Sequence, residues 1–179
     1  MSSKTLKNAE TWTALALIAI AVIYRLMPHP QNFTPVSAIA IFAAATLPLG
    51  LAFTVPILAM IGSDILVGPH DLFWLTWGAF ALMGLLGLWL RERRTPARIL
   101  LVSVAGSTFF FLVTNFGVLF FQNMYAKTWA GLVECFTMAL PFYRNELAGD
   151  LVFCAVFFGV FALAGSIGKP QTSSASPRT

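Results

Sequence analysis

The stretch Ile99–Phe121 reads ILLVSVAGSTFFFLVTNFGVLFF and contains no charged side chain. About 20 predominantly apolar residues in helical form cross the hydrocarbon core of a bilayer. In lipid, only helices and closed barrels satisfy all of their backbone polar groups. Because the apolar residues here are continuous rather than alternating, the stretch is typical of a transmembrane helix and not of a barrel strand.

The rest of the chain has the same character. Of its 179 residues, 58% are hydrophobic and only 10% are charged, against about 25% charged residues in soluble proteins. The sequence predicts an all-α, polytopic membrane protein with a single transmembrane helical domain over residues 1–168. A disordered cytoplasmic tail is predicted over residues 169–179. The apolar blocks are Thr11–Met27, Val36–Leu47, Leu49–Val67, Leu72–Leu90, Ile99–Phe121 and Leu147–Ile167.

The number of spans depends on the second block. A helix over Val36–Leu47 would rise only about 18 Å, whereas the hydrocarbon core is about 30 Å thick. Val36–Ile61 is therefore either two short spans broken at LPLG (Leu47–Gly50) or one long kinked span. The two interpretations give about six spans and five spans, respectively.

The distribution of basic residues favours six spans. With the N-terminus inside, six spans place all of the 11 basic residues except Arg25, Lys127 and Arg144 on the cytoplasmic side. The stretch RERRTPAR (Arg91–Arg98) is then the main determinant of orientation. We predict that both termini lie on the cytoplasmic side of a bacterial inner membrane. The net charge of +4 is explained by this orientation, so no nucleic-acid partner is expected.

Six spans leave three connections on the outer side, Pro28–Pro35, Ser63–Asp71 and Gln122–Glu146. In the third, apolar residues recur at helical spacing between Trp129 and Leu140, which predicts a short amphipathic helix at the interface. PFYRN (Pro141–Asn145) is expected to turn the chain back toward the last span. Most of the acids fall on this side, namely Asp64, Asp71, Glu134, Glu146 and Asp150.

Three polar residues near the outer ends of spans are candidates for a binding site. Asp64 ends the third span, and an ionisable group at that depth is either functional, with Arg144 as its expected partner, or a helix-end aspartate in contact with water. Asn115 lies inside the fifth span and must face a cavity or make an interhelical hydrogen bond. His70 could ligate a metal or be a solvated loop residue.

Several catalytic and energy-coupling motifs are absent from the sequence. It contains no glycine-rich phosphate loop, no HExxH, no CxxC pair and no GxSxG. With no charged residue expected in the middle of a span, a self-sufficient pump is not predicted. The chain is therefore expected not to be an enzyme, and active transport would require partners that hydrolyse ATP.

Four short stretches together resemble one family. RLMPHPQNFTPVSA (Arg25–Ala38), SD at the end of the third span, TNFG in the fifth span and KTWAGLVECFTMALPFYRNELAGD (Lys127–Asp150) are similar to the DUF6580 group of small membrane proteins. That group resembles the S-components of energy-coupling-factor (ECF) transporters and includes BtuM-type cobalamin proteins. The resemblance implies a six-helix substrate-binding subunit, with a pocket on the outer face that is roofed by the outer connections.

The resemblance also implies a ligand and partners. In BtuM-type proteins a cysteine ligates the cobalt of cobalamin and promotes removal of its cyanide. This chain has no cysteine in the connection after the third span, so its possible cobalt ligands are His70 in that connection and Cys135 in the long outer connection. Transport would depend on an ECF coupling protein and its ATPases. No intrinsic cofactor is implied, and cobalamin would be the bound substrate.

The leading hypothesis is a membrane subunit for uptake of a vitamin-type solute, with cobalamin or a related corrinoid as the lead candidate. Its predicted ligand-binding residues are Asn32, Asp64, His70, Asn115 and Arg144. The alternative is a non-transporting accessory subunit of a larger membrane complex. A third hypothesis is a membrane enzyme that processes its ligand, for example by decyanation, through Cys135 or His70.

Overall fold

The structure is a computed structural model that describes residues 3–68 and 70–167. Within these residues the chain forms helices and no strand, so the predicted all-α class is confirmed. The helices are α1 (Ser3–Leu26), α2 (Val36–Thr46), α3 (Leu49–Val67), α4 (Phe73–Trp89), α5 (Pro96–Phe121) and α6 (Trp129–Ile167). The tail predicted over residues 169–179 lies outside the described residues.

Four of these helices, α1, α3, α5 and α6, are long and apolar enough to cross a membrane. The other two are shorter apolar helices, and α2, with 11 residues, rises only about 16 Å. The predicted break at LPLG is present, because α2 ends at Thr46 and α3 begins at Leu49. The helices therefore indicate a membrane protein, as predicted.

The short helix α2 lies at the centre of the bundle. Every residue from Val36 to Ala45 is buried, and α2 contacts each of the other five helices. A helix that is apolar on all sides is expected to be buried in this way. The helix α4 approaches α2 closely at Gly87, where a Cβ atom would overlap the carbonyl oxygen of Ile41. The small residues of α2 and α4 thus bring the two backbones together.

The chain reverses direction at each connection. The connections at residues 27–35, 68–72 and 122–128 all contribute side chains to one cavity. The C-terminus of α2 is instead hydrogen-bonded to the α4–α5 connection. We call these the cavity end and the opposite end of the bundle.

At the opposite end, two arginines cap α2. The Nε of Arg91 donates to the carbonyl of Ala44 at 2.7 Å, and its Nη2 donates to the carbonyl of Leu47 at 2.5 Å. Arg94 Nη2 donates to the carbonyl of Ala45 at 2.6 Å. The last carbonyls of a helix lack partners within it and carry partial negative charge, which guanidinium groups neutralise. RERRTPAR is thus a structural cap as well as a cluster of charge.

The segment from Trp129 to Ile167 is a single helix of 39 residues. The prediction of a short outer helix followed by a turn at Pro141–Asn145 is therefore wrong. A proline inside a helix costs about 3 kcal/mol. Packing on both sides of it offsets this cost, because the Phe111 ring contacts Phe136 at 5.4 Å and Tyr143 at 4.8 Å between ring centroids. The continuous helix places Glu146 and Asp150 inside the bundle.

Candidate functional site

A cavity of about 730 Å³ lies at the cavity end of the bundle. Cavities that bind drug-sized ligands have volumes of about 300–1,000 Å³. All six helices and the three connections at this end contribute to its wall, which combines amides, imidazoles, methionines and aromatic rings. A polar and aromatic cavity on an otherwise apolar bundle is the strongest candidate for a binding site.

Three of the five predicted ligand-binding residues line this cavity, namely Asn32, His70 and Asn115. The possible cobalt ligand Cys135 lines it as well. Arg144 is exposed and does not line the cavity, so the structure does not bring it together with the other predicted residues. Asp64 lies behind the wall and is connected to the cavity through Arg25.

Asp64 pairs with Arg25 and not with Arg144. The Arg25 Nη1 lies 2.7 Å from Asp64 Oδ1, and Trp77 Nε1 donates to Asp64 Oδ2 at 2.8 Å. Arg25 Nη1 also donates to Ser63 Oγ. The prediction failed because α1 packs on α3, so the last turn of α1 places its arginine beside the last turn of α3. Asp64 is only 7% exposed, so the alternative of a helix-end aspartate in water is wrong too.

His70 and Cys135, the proposed metal ligands, have different surroundings. His70 Nε2 lies 4.0 Å from Asp64 Oδ2 and 3.3 Å from Thr76 Oγ1, and its side chain is 40% exposed. Cys135 is buried, and its thiol donates to the Asn115 carbonyl at 3.6 Å. In the part of the chain that the structure describes, no group of three or more histidine, cysteine or acidic residues could hold a metal ion.

The two asparagines of the cavity contribute in different ways. Asn32 adopts a left-handed backbone conformation, with φ of 63°, which asparagine tolerates better than most residues. Its Nδ2 donates to Glu146 Oε2 at 3.4 Å, so the first connection is joined to α6. Asn115 Nδ2 donates to the carbonyl of Phe111 in its own helix at 2.7 Å. The expected interhelical hydrogen bond of its amide is not formed, and Asn115 faces the cavity.

Two acids on α6 extend the polar site into the bundle. Glu146 lines the cavity, is 4% exposed and accepts a hydrogen bond from Ser37 Oγ at 3.3 Å. Asp150, one turn further along the same face, is 1% exposed and accepts a hydrogen bond from Ser107 Oγ at 2.7 Å. Ser107 lies near the middle of α5, so the prediction that no charged residue lies mid-span is wrong.

Comparison with known families gives one match. The model of the DUF6580 family, described as a family of unknown function, matches residues 5–173. The chain belongs to the DUF6580 family. No curated protein and no solved structure matches it. The description of the family names no activity, so the geometry of the site is the observation that bears on the function of this DUF6580 chain.

The sequence contained a signal for the two acids that the site prediction missed. In this DUF6580 chain, Glu146 and Asp150 are four residues apart, a spacing that places both side chains on one face of a helix. The buried residues Cys135 and Ala139 belong to the same face. A turn at PFYRN would place Glu146 in a loop and Asp150 at the start of the last span, and the common face appears only when the helix is continuous.

Proposed function

We propose that the chain is an S-component-like membrane subunit that binds a vitamin-type solute for uptake. The observation that carries the proposal is the cavity of about 730 Å³, which is bounded by three connections at one end of an apolar helical bundle. The cavity is large enough to enclose a small organic molecule. Its polar side chains come from different helices and converge on one space, as expected for a binding site.

We propose that the bundle crosses the membrane six times with the cavity on the outer side. The alternation of helix direction supports this count, since α2 and α3 lie in opposite directions. The arginines of RERRTPAR lie at the opposite end of the bundle, which the excess of basic residues in cytoplasmic connections assigns to the cytoplasm. The N-terminal end of α1 and the C-terminal end of α6 then face the cytoplasm of a bacterium, and the bundle lies in its inner membrane.

Cobalamin or a related corrinoid is the ligand that the sequence resemblance favours. His70 and Cys135 both line the cavity, and either could supply an axial ligand to cobalt. A smaller vitamin would be enclosed by the cavity, whereas a corrinoid would extend past the connections that surround it. The proposal therefore covers vitamin-type solutes as a class, with cobalamin as the first compound to test.

Uptake by this subunit would require energising partners. The sequence holds no phosphate-binding loop, so ATP hydrolysis would come from the ATPases of an ECF module and reach this chain through its coupling protein. The ligand would be bound and released by the chain itself, without chemical change.

Ligand binding is tested with the intact protein in lipid nanodiscs. Cyanocobalamin is titrated by calorimetry and absorbance, and small molecules that co-purify are identified by mass spectrometry. We expect saturable binding of cyanocobalamin or a bound vitamin-type molecule, weakened in Asn115→Leu and unchanged in Arg144→Leu. Folded protein that does not bind cyanocobalamin and carries no bound vitamin-type molecule would contradict the proposal. A stoichiometric protein partner other than ATPases, with no small molecule, would instead establish the alternative of an accessory subunit.

A further inference from the structure

Among the described residues, no cation lies beside the carboxylates of Glu146 and Asp150. Within residues 3–68 and 70–167, the ion pairs are those of Asp64 with Arg25 and with His70. The side chains that hydrogen-bond to the two α6 acids are neutral, namely Asn32, Ser37 and Ser107. Charges at this depth normally pair with one another or with an opposite charge. Two acids of the same sign cannot do so.

The hydrogen bonds of these acids are also few. Glu146 receives bonds of 3.3 and 3.4 Å, which are long for a charged acceptor. Asp150 Oδ1 is buried and has no hydrogen-bond partner in the part of the chain that the structure describes. Burying a carboxylate is costly unless it is paired or fully hydrogen-bonded. Both carboxyl groups are therefore without a charged partner among the described residues.

Among the residues that the structure describes, Arg25 is the one arginine or lysine that lines the cavity, and its charge is paired with that of Asp64. Its guanidinium lies 2.7 Å from the Asp64 carboxylate. The formal charges of this pair cancel, so the acidic groups that remain at the cavity are Glu146 and, one turn behind it, Asp150. The potential inside the cavity should attract a cation.

Aromatic rings stand beside the acidic part of the wall. Phe111, Phe142 and Tyr143 line the cavity together with Glu146. Tyr143 is held in place by a contact of 2.9 Å between its hydroxyl and Thr108 Oγ1. Aromatic rings attract cations through the negative charge of their faces, and they also pack against flat apolar groups. A carboxylate among such rings is suited to a ligand that combines a flat body with a positive charge.

We propose that the cavity selects an organic cation, a flat ring system carrying an ammonium or similar group, and that the cationic group binds Glu146. This inference rests on the proposed function and names its substrate class. The ammonium donates hydrogen bonds to the Glu146 carboxylate, and Asp150 strengthens the attraction from one turn deeper. The ring system occupies the aromatic part of the cavity.

Three indole compounds of similar size test the inference. Tryptamine is a cation, tryptophol is its neutral counterpart and indole-3-acetate is an anion. Binding of each to the intact protein in nanodiscs is measured by calorimetry. Hydrogen bonds between two charged groups are stronger than those to a neutral hydroxyl, so tryptamine should bind about tenfold more tightly than tryptophol. Indole-3-acetate should bind most weakly.

Three variants test which residue causes the preference for tryptamine over tryptophol. Glu146→Gln keeps the size of the side chain and one of its two acceptor oxygens but removes the charge, so it should abolish the preference for tryptamine. Asp150→Asn should reduce the preference. Arg144→Gln, on the exposed face of the same helix, should keep it. Should Glu146→Gln fail to fold, the wild-type series decides alone.

The inference and the proposed function fail in different ways. Equal binding of tryptamine and tryptophol, no binding of tryptamine to folded protein, or a preference that survives Glu146→Gln would overturn the inference. Equal binding would mean that a proton, rather than a ligand cation, neutralises the acids. Binding of cyanocobalamin without any preference among the indoles would leave the proposed function in place and remove the cationic substrate class alone.

Discussion

Arg25 and Asp64 connect the last turns of α1 and α3 beside the cavity. Their ion pair of 2.7 Å is largely shielded from water, with 16% of the arginine side chain and 7% of the aspartate side chain exposed. The Trp77 indole donates to the same carboxylate and joins α4 to the pair. Three helices thus meet at one carboxylate, so a change at this position should affect both stability and the shape of the cavity.

Replacing Arg25 by methionine should destabilise the protein by about 3–5 kcal/mol, because it leaves the Asp64 charge buried without its partner. Adding Asp64→Asn should restore part of this loss, since the second change removes the unpaired charge. Thermal unfolding in detergent measures both effects, and Arg144→Met is the exposed control. Equal stability of Arg25→Met and the wild type would show that the ion pair contributes nothing.

The residues near the cavity were easier to predict from the sequence than the partners that they contact. Asp64, Asn115 and His70 stood out as polar residues next to apolar runs, and the structure places all three at or beside the cavity. The partner of Asp64 was not predictable, because the choice between Arg25 and Arg144 depends on which helices pack together. Glu146 was missed because its depth follows from the continuity of α6, which a local turn signal concealed.

At the scale of the elements, the contact between α2 and α4 depends on Gly87. A Cβ atom at this position would lie 2.9 Å from the Ala44 Cβ and would overlap the Ile41 carbonyl. Gly87→Ala should therefore force the helices apart and cost about 1–3 kcal/mol. The matched control is Gly78→Ala in the same helix, where a Cβ atom has no neighbour within 4 Å.

Gly78→Ala should be neutral or slightly stabilising, because alanine has the higher helix propensity. Unfolding temperatures of the two variants in detergent make the comparison. A Gly87→Ala protein as stable as Gly78→Ala would refute the close approach of α2 and α4.

The arginine cap of α2 gives a second prediction for an element. Arg91→Gln removes the charged donor to the Ala44 and Leu47 carbonyls and should cost about 1.5–3 kcal/mol, the contribution of hydrogen bonds to a charged group. Lysine should restore little of it, since one ammonium cannot reproduce the fork of donors. Arg93→Gln is the control, because Arg93 makes no side-chain hydrogen bond in the described structure. Thermal unfolding measures the stability of both variants. Equal losses of stability in Arg91→Gln and Arg93→Gln would contradict the cap.

The helices themselves were largely predictable from the sequence. Apolar blocks flanked by proline, glycine or charge gave the bounds of α2, α3 and α4 to within a residue or two. The failure was α6, where proline and polar residues in PFYRN indicate a turn locally. Their helical conformation depends on α5, whose Phe111 ring packs against residues on both sides of Pro141. No local pattern contains that contact.

At the scale of the whole molecule, the proposed six spans predict the side on which each end of the bundle is accessible. In a background without Cys135 and Cys154, Gln31→Cys should react with a membrane-impermeant maleimide in intact cells. Arg93→Cys should react only after the cells are permeabilised. With five spans, residue 31 would lie inside and would be protected in intact cells. Labelling at residue 93 in intact cells would contradict the orientation.

The position of α2 has a consequence for biogenesis. The ribosome synthesises α2 before α4, α5 and α6, which are three of the helices that bury it. α2 therefore leaves the ribosome before most of its neighbours exist. A helix of about 16 Å is too short to cross a bilayer of about 30 Å by itself. We therefore expect α2 to stay only partly buried, beside α3, until α4, α5 and α6 are inserted. A chain stopped at Phe121 should consequently be degraded by membrane proteases, although five of its helices are complete.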